Sequence, residues 1–247
     1  MNTKVIVQRN IKTNKIILST LTAVFIVILT ISFAVLVPIV FEPFYYLHIK
    51  PYHLEDVYLN NGRQLNYNEI KIVYDKLIRY LLSFQKFDLS PLESSVNGEA
   101  HFDDVRKLFL ATFILFFLSL IGLITLIILN KKYAIKIPWI NIGFYSLMII
   151  FVIIIIIVAI AASDFEKAFE VFHKIFFPGK SNWNFAPNKD EIIKYLPQEF
   201  FMNAAITISF FLISPWVIFV ILKIIFDVKK HKQKQQAKQK MNKQLTH

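Results

Sequence analysis

The sequence predicts an all-α integral membrane protein: a four-transmembrane-helix bundle with a small helical extracytoplasmic subdomain between helices 1 and 2. Three observations predict this class. Of the 247 residues, 55% are hydrophobic and only five are glycine. The mean hydropathy is +0.50. Four apolar stretches each reach the roughly 20 residues that a helix needs to cross a hydrocarbon core. Lipid offers no hydrogen-bond partner to a free peptide group, so each stretch must be helical.

Charged side chains are almost absent from the four apolar stretches. Residues 16–41, 108–129 and 138–162 contain no Asp, Glu, Lys or Arg, and residues 200–226 contain only Lys223, whose long stem can reach the headgroups. The first span is too long for the apolar core of a cleaved signal peptide. It is therefore interpreted as an uncleaved anchor.

The distribution of the net charge of +11 predicts the orientation of the chain. Basic side chains are concentrated in residues 1–15, 130–137 and 227–247. By the positive-inside rule these three segments face the cytoplasm, so both termini are cytoplasmic. Residues 42–107 and 163–199 then lie outside. The sequence thus predicts a multi-pass plasma-membrane protein.

The basic tail and the absence of cysteine limit the possible partners and chemistry. The tail alternates Lys with Gln and contains no aromatic residue for base stacking, so we expect it to interact with anionic membrane lipids and not with nucleic acid. It lacks apolar periodicity and is predicted to be disordered or loosely helical. Because the chain has no cysteine, disulfides, thiol nucleophiles and thiolate metal sites are excluded.

Residues 42–107 form the one predicted extramembrane subdomain. Between Asn68 and Phe84, apolar residues recur every three or four positions, which predicts an amphipathic helix capped by Asn66 or Asn68. The apolar positions are Ile70, Val73, Tyr74, Leu77, Ile78 and Leu81. A further helix is expected to begin near Glu99 and to continue directly into the second span.

The start of that helix contains the first candidate for chemistry. His101 and Asp104 are three residues apart and share a helix face, so the carboxylate could accept a proton from one imidazole nitrogen and direct the other toward a substrate. Imidazole is the side chain whose charge changes near neutral pH. The alternative is a simple interfacial helix start, with acids near the free amides and Arg106 touching lipid phosphates.

The second candidate lies between the third and fourth spans. His173 stands in a stretch that is expected to continue the third span as a helix, break at Pro178–Gly179, and place Trp183 and Phe185 in an extended segment. The alternative is a solvated histidine among ordinary aromatic residues of the membrane boundary. Both histidines are predicted on the same side of the membrane, close to span ends.

Other chemistries find less support. The sequence contains no HExxH, GxSxG or glycine-rich phosphate loop. A metal site built from His101, His173 and Asp103 or Asp104 has suitable ligand types, but no spacing defines it, so no metal is predicted. His48 and His53 could join such a site and are otherwise interpreted as loop residues. A channel or transporter would need polar positions inside the spans. The weak candidates for such positions are Pro38, Asn141, Ser214 and Pro215.

The two histidine stretches together resemble a known family. The string HFDDV at residues 101–105 and the string FHKIFFPGKSNWNFAPNKDEIIKYLPQEFF at residues 172–201 are similar to the lipoprotein intramolecular transacylase (Lit) family of Gram-positive bacteria. The resemblance covers nearly the whole chain. It implies an acyltransferase whose substrates are diacylated bacterial lipoproteins. The acyl chain at the glycerol sn-2 oxygen would move to the amine of the lipoprotein's own N-terminal cysteine, without a cofactor, and yield the lyso-form lipoprotein.

The resemblance also implies roles for residues. His101 and His173 match the two histidines that the family requires. We expect His101, steered by Asp104, to act as the base and His173 to act as oxyanion donor or general acid, with the reverse order left open. The remaining candidates are substrate-binding: Tyr80, Trp183 and Phe185 as pocket walls, and Arg79 or Arg106 as contacts to headgroup or peptide atoms. A lipid- or lipoprotein-binding membrane module without turnover and a small transporter are the alternative functions.

Overall fold

The computed structural model describes residues 3–245 and is helical through most of that range. Residues 1, 2, 246 and 247, at the ends of the two predicted cytoplasmic segments, lie outside the described residues. Within the described range there are seven α-helices and two short 3₁₀ helices. The α-helices are α1 (Thr3–Val40), α2 (Pro43–Ile49), α3 (Tyr67–Leu82), α4 (Val96–Tyr133), α5 (Trp139–Ser163), α6 (Phe165–Phe176) and α7 (Gln198–Leu245). The 3₁₀ helices are Leu54–Asp56 and Glu191–Lys194.

The four long helices form the membrane bundle. Helices α1, α4, α5 and α7 are each long and apolar enough to cross a bilayer. Helix α1 packs against the other three, and α5 packs against α7. Their shared core includes Ala34, Leu147 and Leu212. Many Ile, Leu and Phe side chains of α4 and α5 are exposed, as lipid-facing surfaces are. The predicted all-α four-helix membrane architecture is confirmed.

A compact subdomain lies between α1 and α4 (residues 41–95, the first connecting segment). The apolar face of α3 is buried, and Tyr74 from this face stacks on Tyr45 of α2 at a centroid distance of 3.8 Å. Of the two predicted caps, Asn66 caps α3: its side chain accepts hydrogen bonds from the backbone N–H groups of Asn68 (3.0 Å) and Glu69 (3.1 Å). The Glu69 carboxylate accepts the Asn66 N–H in return, which completes a capping box.

Two helix boundaries determine where the histidines stand. Helix α4 begins at Val96, three residues before the predicted start, because the Ser95 hydroxyl accepts the Gly98 N–H (3.0 Å) and caps it. It continues unbroken into the second span, as expected. The expectation that the His173 stretch continues the third span is wrong. Asp164 is extended and its side chain caps a separate helix, α6, through the Lys167 N–H (2.9 Å).

Helix α7 extends far beyond its apolar part. The helix continues to Leu245, so the basic tail is helical up to that residue and not disordered. Its 48 residues correspond to a length of about 72 Å. Lys, Gln and Ala are good helix formers, and no Gly or Pro follows Pro215. Lys223 hydrogen-bonds Asn141 on α5 (3.1 Å) and Asp227 on its own helix (3.0 Å), which ties α7 to α5 at this end of the bundle.

Candidate active site

His101 and His173 lie side by side. His101 stands in the second turn of α4, and His173 stands near the end of α6. Their ring centroids are 5.7 Å apart and the ring planes are inclined by 36°. Only 5% of His101 and 7% of His173 is exposed. Two separate helices thus place two buried imidazoles, here called the histidine pair, at one point beside the ends of the spans.

The orientation of His173 is held by its own helix and by Trp183. Its Nδ1 hydrogen-bonds the Phe169 carbonyl, four residues earlier, at 2.8 Å. A carbonyl can only accept, so Nδ1 holds the proton and the Nε2 of the neutral ring is an unprotonated acceptor. The Trp183 ring stacks on the His173 ring at a centroid distance of 4.8 Å. Burial lowers the pKa of His173, and the bond to the Phe169 carbonyl offsets part of that shift.

His101 has an aromatic surrounding and an unsatisfied nitrogen. Its Nδ1 is buried and has no hydrogen-bond partner. Phe177 and Phe185 make T-shaped contacts with its ring at centroid distances of 5.0 Å and 5.3 Å. Phe185 in turn stacks on Phe102 at 5.6 Å. A charged ring is costly in such an apolar box, so the surrounding favours neutral His101.

Asp104 does not bind His101 as the sequence suggested. Its carboxylate accepts hydrogen bonds from the Lys180 ammonium (2.5 Å) and from the Asn182 amide nitrogen (3.2 Å), with the Lys107 ammonium 3.7 Å away. Opposite charge explains the choice, because an ammonium is a stronger partner for a carboxylate than a neutral imidazole. Asp104 therefore joins α4 to the segment that follows α6.

The predicted substrate-binding residues separate into three groups. Trp183 and Phe185 touch the histidine pair directly. Tyr80 is farther away and packs on Phe87 (5.0 Å), while the Arg106 guanidinium lies over the Tyr80 ring at 4.6 Å. Arg79 is exposed, and its Nε donates to the Asp75 carbonyl on its own helix (3.2 Å). The structure therefore brings Trp183 and Phe185 to the site, leaves Tyr80 and Arg106 at its margin, and places Arg79 at the surface.

Several site residues were not identified from the sequence. Phe177 contacts both rings of the histidine pair, Phe169 orients His173, and Lys180 and Asn182 engage Asp104. The available signal was proximity to the Pro178–Gly179 break, since a sharp turn there returns the chain over the end of α6. Contacts between residues about 80 positions apart leave no local pattern.

The residues between α5 and α7 (164–197) are here called the second connecting segment. Two adjacent buried acids hold this segment against the first connecting segment. Asp190 accepts hydrogen bonds from the Ser95 N–H (2.8 Å) and hydroxyl (3.0 Å). Glu191 accepts the backbone N–H groups of Asn60 (2.5 Å) and Glu93 (2.9 Å). The segment with Trp183 and Phe185 is thereby docked beside the start of α4.

Of the described histidines, His48 and His53 do not extend the pair into a metal site. His48 is buried and helical, not a loop residue; its Nδ1 donates to the Phe44 carbonyl (2.6 Å) and its Nε2 lies 3.0 Å from the Asn203 amide nitrogen. His53 is exposed and lies 3.3 Å from Asp56. Across residues 3–245, no three His, Asp or Glu side chains are grouped as metal ligands.

The chain is similar to known proteins of one family. The family model for lipoprotein intramolecular transacylase Lit matches residues 20–201. An in meso structure of the membrane integral lipoprotein intramolecular transacylase Lit from Bacillus cereus superposes with a TM-score of 0.75 and 28% identity, covering 90% of this chain and 99% of that chain.

Two variant structures of the Bacillus cereus protein are also similar. One has a histidine replaced by arginine and the other has a histidine replaced by alanine. Each is 25% identical to this chain, with a TM-score of 0.69. The matches cover 90% of this chain, and 96% of the arginine variant and 97% of the alanine variant. No curated protein sequence matches. With the family model matching most of its length, this chain belongs to the lipoprotein intramolecular transacylase (Lit) family of membrane-integral acyltransferases.

Proposed function

We propose that this chain moves the sn-2 acyl chain of a lipoprotein's diacylglyceryl group to the α-amine of the same lipoprotein's N-terminal cysteine, giving the lyso-form. The observation that supports it most is the histidine pair, two buried imidazoles with a centroid separation of 5.7 Å, at the ends of membrane helices. Transfer from an ester to an amine needs one proton removed from nitrogen and one delivered to oxygen. A neutral imidazole can do both near neutral pH.

The tautomer of His173 supports its assignment as the base. Its Nδ1 proton is committed to the Phe169 carbonyl, so Nε2 is the free acceptor. This reverses the order that the sequence favoured: His173 is the base and His101 is the hydrogen-bond donor to the oxyanion. The carbonyl that holds Nδ1 also fixes the plane of the ring, as a partner of a catalytic imidazole should.

The reaction then balances without a cofactor. The neutral amine attacks the ester carbonyl carbon, and His173 Nε2 accepts the proton that the nitrogen loses. His101, as a neutral N–H donor, stabilises the oxyanion. The bond from the carbonyl carbon to the glycerol oxygen breaks, and the His173 imidazolium returns its proton to that oxygen. Because amine and ester belong to one molecule, holding them close supplies much of the rate enhancement.

Asp104, Trp183 and Phe185 support this chemistry indirectly. Trp183 and Phe185 contact the two rings and exclude water from them, which strengthens every hydrogen bond in the site. Asp104 holds the second connecting segment through Lys180. Tyr80 and Arg106 are proposed to contact the headgroup or peptide at the margin, and exposed Arg79 contributes at most a surface contact.

The depth of the site suits an ester buried at the lipid surface. Helix α6 has charged residues on one side and exposed apolar side chains on the other, including Phe172, Ile175 and Phe176. A helix of this kind lies in the interface with its apolar face among the acyl chains. His173 would then stand near the level of glycerol esters. We propose, from the positive-inside rule, that this interface is the outer face of the bacterial plasma membrane.

The experiment uses the purified protein and a synthetic diacylglyceryl lipopeptide. We expect the wild type to form the N-acyl lyso product, measured by mass spectrometry of the peptide terminus. The His173→Gln variant should lose about 10²- to 10⁴-fold in rate, and His101→Gln about 10²- to 10³-fold. His53→Gln, an exposed histidine in the same protein, is the matched control and should retain the wild-type rate.

Two outcomes contradict the proposal. If folded His173→Gln transfers the acyl chain at the wild-type rate, His173 is not the base. If the wild type binds the lipopeptide but forms no product, the protein is a binding module and not an enzyme acting on this substrate.

A further inference from the structure

Asn182 presents an unsatisfied acceptor beside the histidine pair. Its amide nitrogen donates to Asp104 Oδ2 at 3.2 Å, whereas its Oδ1 is buried and has no hydrogen-bond partner. The next residue, Trp183, stacks on His173. Asp104 is one helical turn from His101. The amide is thus bonded to a carboxylate one turn from His101 and directly precedes the residue that stacks on His173.

The orientation of the amide is determined by its neighbour. If the amide were flipped, its oxygen would face the Asp104 carboxylate and two acceptors would meet. The nitrogen must therefore face Asp104 and the oxygen must face away from it. A buried acceptor without a donor is costly, so this atom suits a group that brings an N–H.

The charge beside Asn182 favours a primary ammonium. Asp104 already attracts two of them: the Lys180 ammonium at 2.5 Å and the Lys107 ammonium at 3.7 Å. The Lys180 side chain is 47% exposed and follows the turn at Gly179, so it can leave the carboxylate without disturbing the core. A primary ammonium of the substrate can then replace the Lys180 ammonium beside Asp104 and Asn182.

We infer that Asn182 and Asp104 form the binding site for the α-amino group of the substrate cysteine. Asn182 Oδ1 accepts one ammonium N–H, Asp104 attracts the charge, and the Lys180 ammonium competes for the same position. The bound ammonium then loses one proton to solvent, and the neutral amine attacks the ester. This inference rests on the proposed function, because it takes the amine as the group that reacts. It adds a recognition step that the histidine pair alone does not provide: the nitrogen is held next to Trp183 and hence beside His173.

The test compares two ligands that cannot react. Both are fluorescently labelled lipopeptides with ether-linked chains in place of the esters; one has the cysteine α-amine and the other has hydrogen there. Binding is measured at about pH 7 in lipid nanodiscs, where the amine is mostly protonated. We expect the wild type to prefer the amino ligand by about tenfold or more, as a hydrogen bond to a charged group implies.

The Asn182→Leu variant should bind both ligands about equally. The matched control is Asn184→Leu, an exposed asparagine two positions later, which should keep the wild-type preference. A merely structural role for Asn182 would weaken both ligands alike and leave their ratio unchanged. Retention of the wild-type ratio by Asn182→Leu overturns the inference.

A second variant covers the case in which Asn182→Leu fails to fold. Lys180→Met removes the competing ammonium, so it should bind the amino ligand more tightly and the deamino ligand as before. Unchanged or weaker binding of the amino ligand by Lys180→Met overturns the inference. Failure of the proposed function is separate: it would appear as absence of N-acyl product from the wild type with the ester lipopeptide, whatever the ether ligands show.

Discussion

Gly98, in the first turn of α4, lies directly against the side chain of Asp190 from the second connecting segment. A β-carbon at Gly98 would stand 2.1 Å from Asp190 Oδ1 and 3.3 Å from the ring of Phe185. Asp190 has little room to shift, because both of its oxygens are bonded to Ser95. The absence of a side chain at position 98 therefore lets the segment with Phe185 approach the helix with His101.

Gly98→Ala should consequently weaken both folding and catalysis. Helix propensity alone would favour alanine, but crowding the buried carboxylate should cost about 1–3 kcal/mol of unfolding free energy. The displaced Phe185 should also lower the transfer rate, because it packs against the His101 ring in a T-shaped contact. Thermal unfolding in detergent and the rate per folded molecule measure the two effects. Ala100→Leu, at an exposed position two residues later, is the control. Wild-type stability and rate for Gly98→Ala would show that Asp190 can move.

The spans and α3 could be predicted from local patterns, and the proximity of the two histidines could be predicted from the topology that those spans define. The spans follow from the exclusion of charge from lipid, and α3 follows from the spacing of its apolar residues. The convergence of His101 and His173 was inferred from their positions near span ends. The signals for the spans and α3 are contained in short stretches of sequence.

The partners of Asp104 and the tautomer of His173 could not be predicted. Asp104 bonds Lys180 and Asn182, which are 76 and 78 positions away, and nothing in HFDDV distinguishes them from His101 as partners. The His173 tautomer depends on its ring turning back to the Phe169 carbonyl one helical turn earlier, and the sequence does not determine that side-chain orientation. The start of α6 was also missed, because Asp164 serves as a cap and not as one more residue of the third span.

Glu191→Gln should destabilise the protein more than it alters the chemistry. Glu191 is 2% exposed, and both of its oxygens accept backbone N–H groups from the first connecting segment. An amide NH₂ in place of one oxygen would face a backbone N–H, and the loss of charge-assisted hydrogen bonds should cost about 2 kcal/mol or more. Denaturation in mixed micelles measures this. The exposed Glu166→Gln is the control. Equal stability of the two variants would contradict a role for Glu191 in docking the segments.

The transfer rate should depend on pH through the substrate amine and His173. Burial lowers the pKa of His173 below its ordinary value of 6.5, so the ring stays neutral, and able to accept a proton, into mildly acidic solution. The acidic limb due to His173 should therefore lie below pH 6.5, while kcat/KM keeps rising until the cysteine amine is neutral near about pH 8. If an enzyme group produced an acidic limb in the kcat/KM profile at or above pH 6.5, a neutral, buried His173 would be contradicted.

The same shift has a stability consequence with a definite sign. The unfolded chain binds a proton at His173 more readily than the folded chain does. The contribution of neutral His173 to the unfolding free energy is therefore fully present above about pH 6.5. It is lost as the pH falls through the lower pKa that His173 has in the folded state. His173→Gln should reduce this pH dependence of unfolding, whereas His53→Gln should leave it unchanged.

The predicted orientation can be tested cleanly because the chain contains no cysteine. Single cysteines placed at exposed positions report which side of the membrane each segment faces. Ser94→Cys and Ser181→Cys lie in the first and second connecting segments, and Ala237→Cys lies in the basic end of α7. In intact cells, a membrane-impermeant maleimide should label the first two and should label Ala237→Cys only after permeabilisation. All three cysteines should react in detergent, which controls for local accessibility. Labelling of Ala237→Cys alone in intact cells would place the histidine pair on the cytoplasmic side, where the N-terminal cysteine of an exported lipoprotein could not reach it.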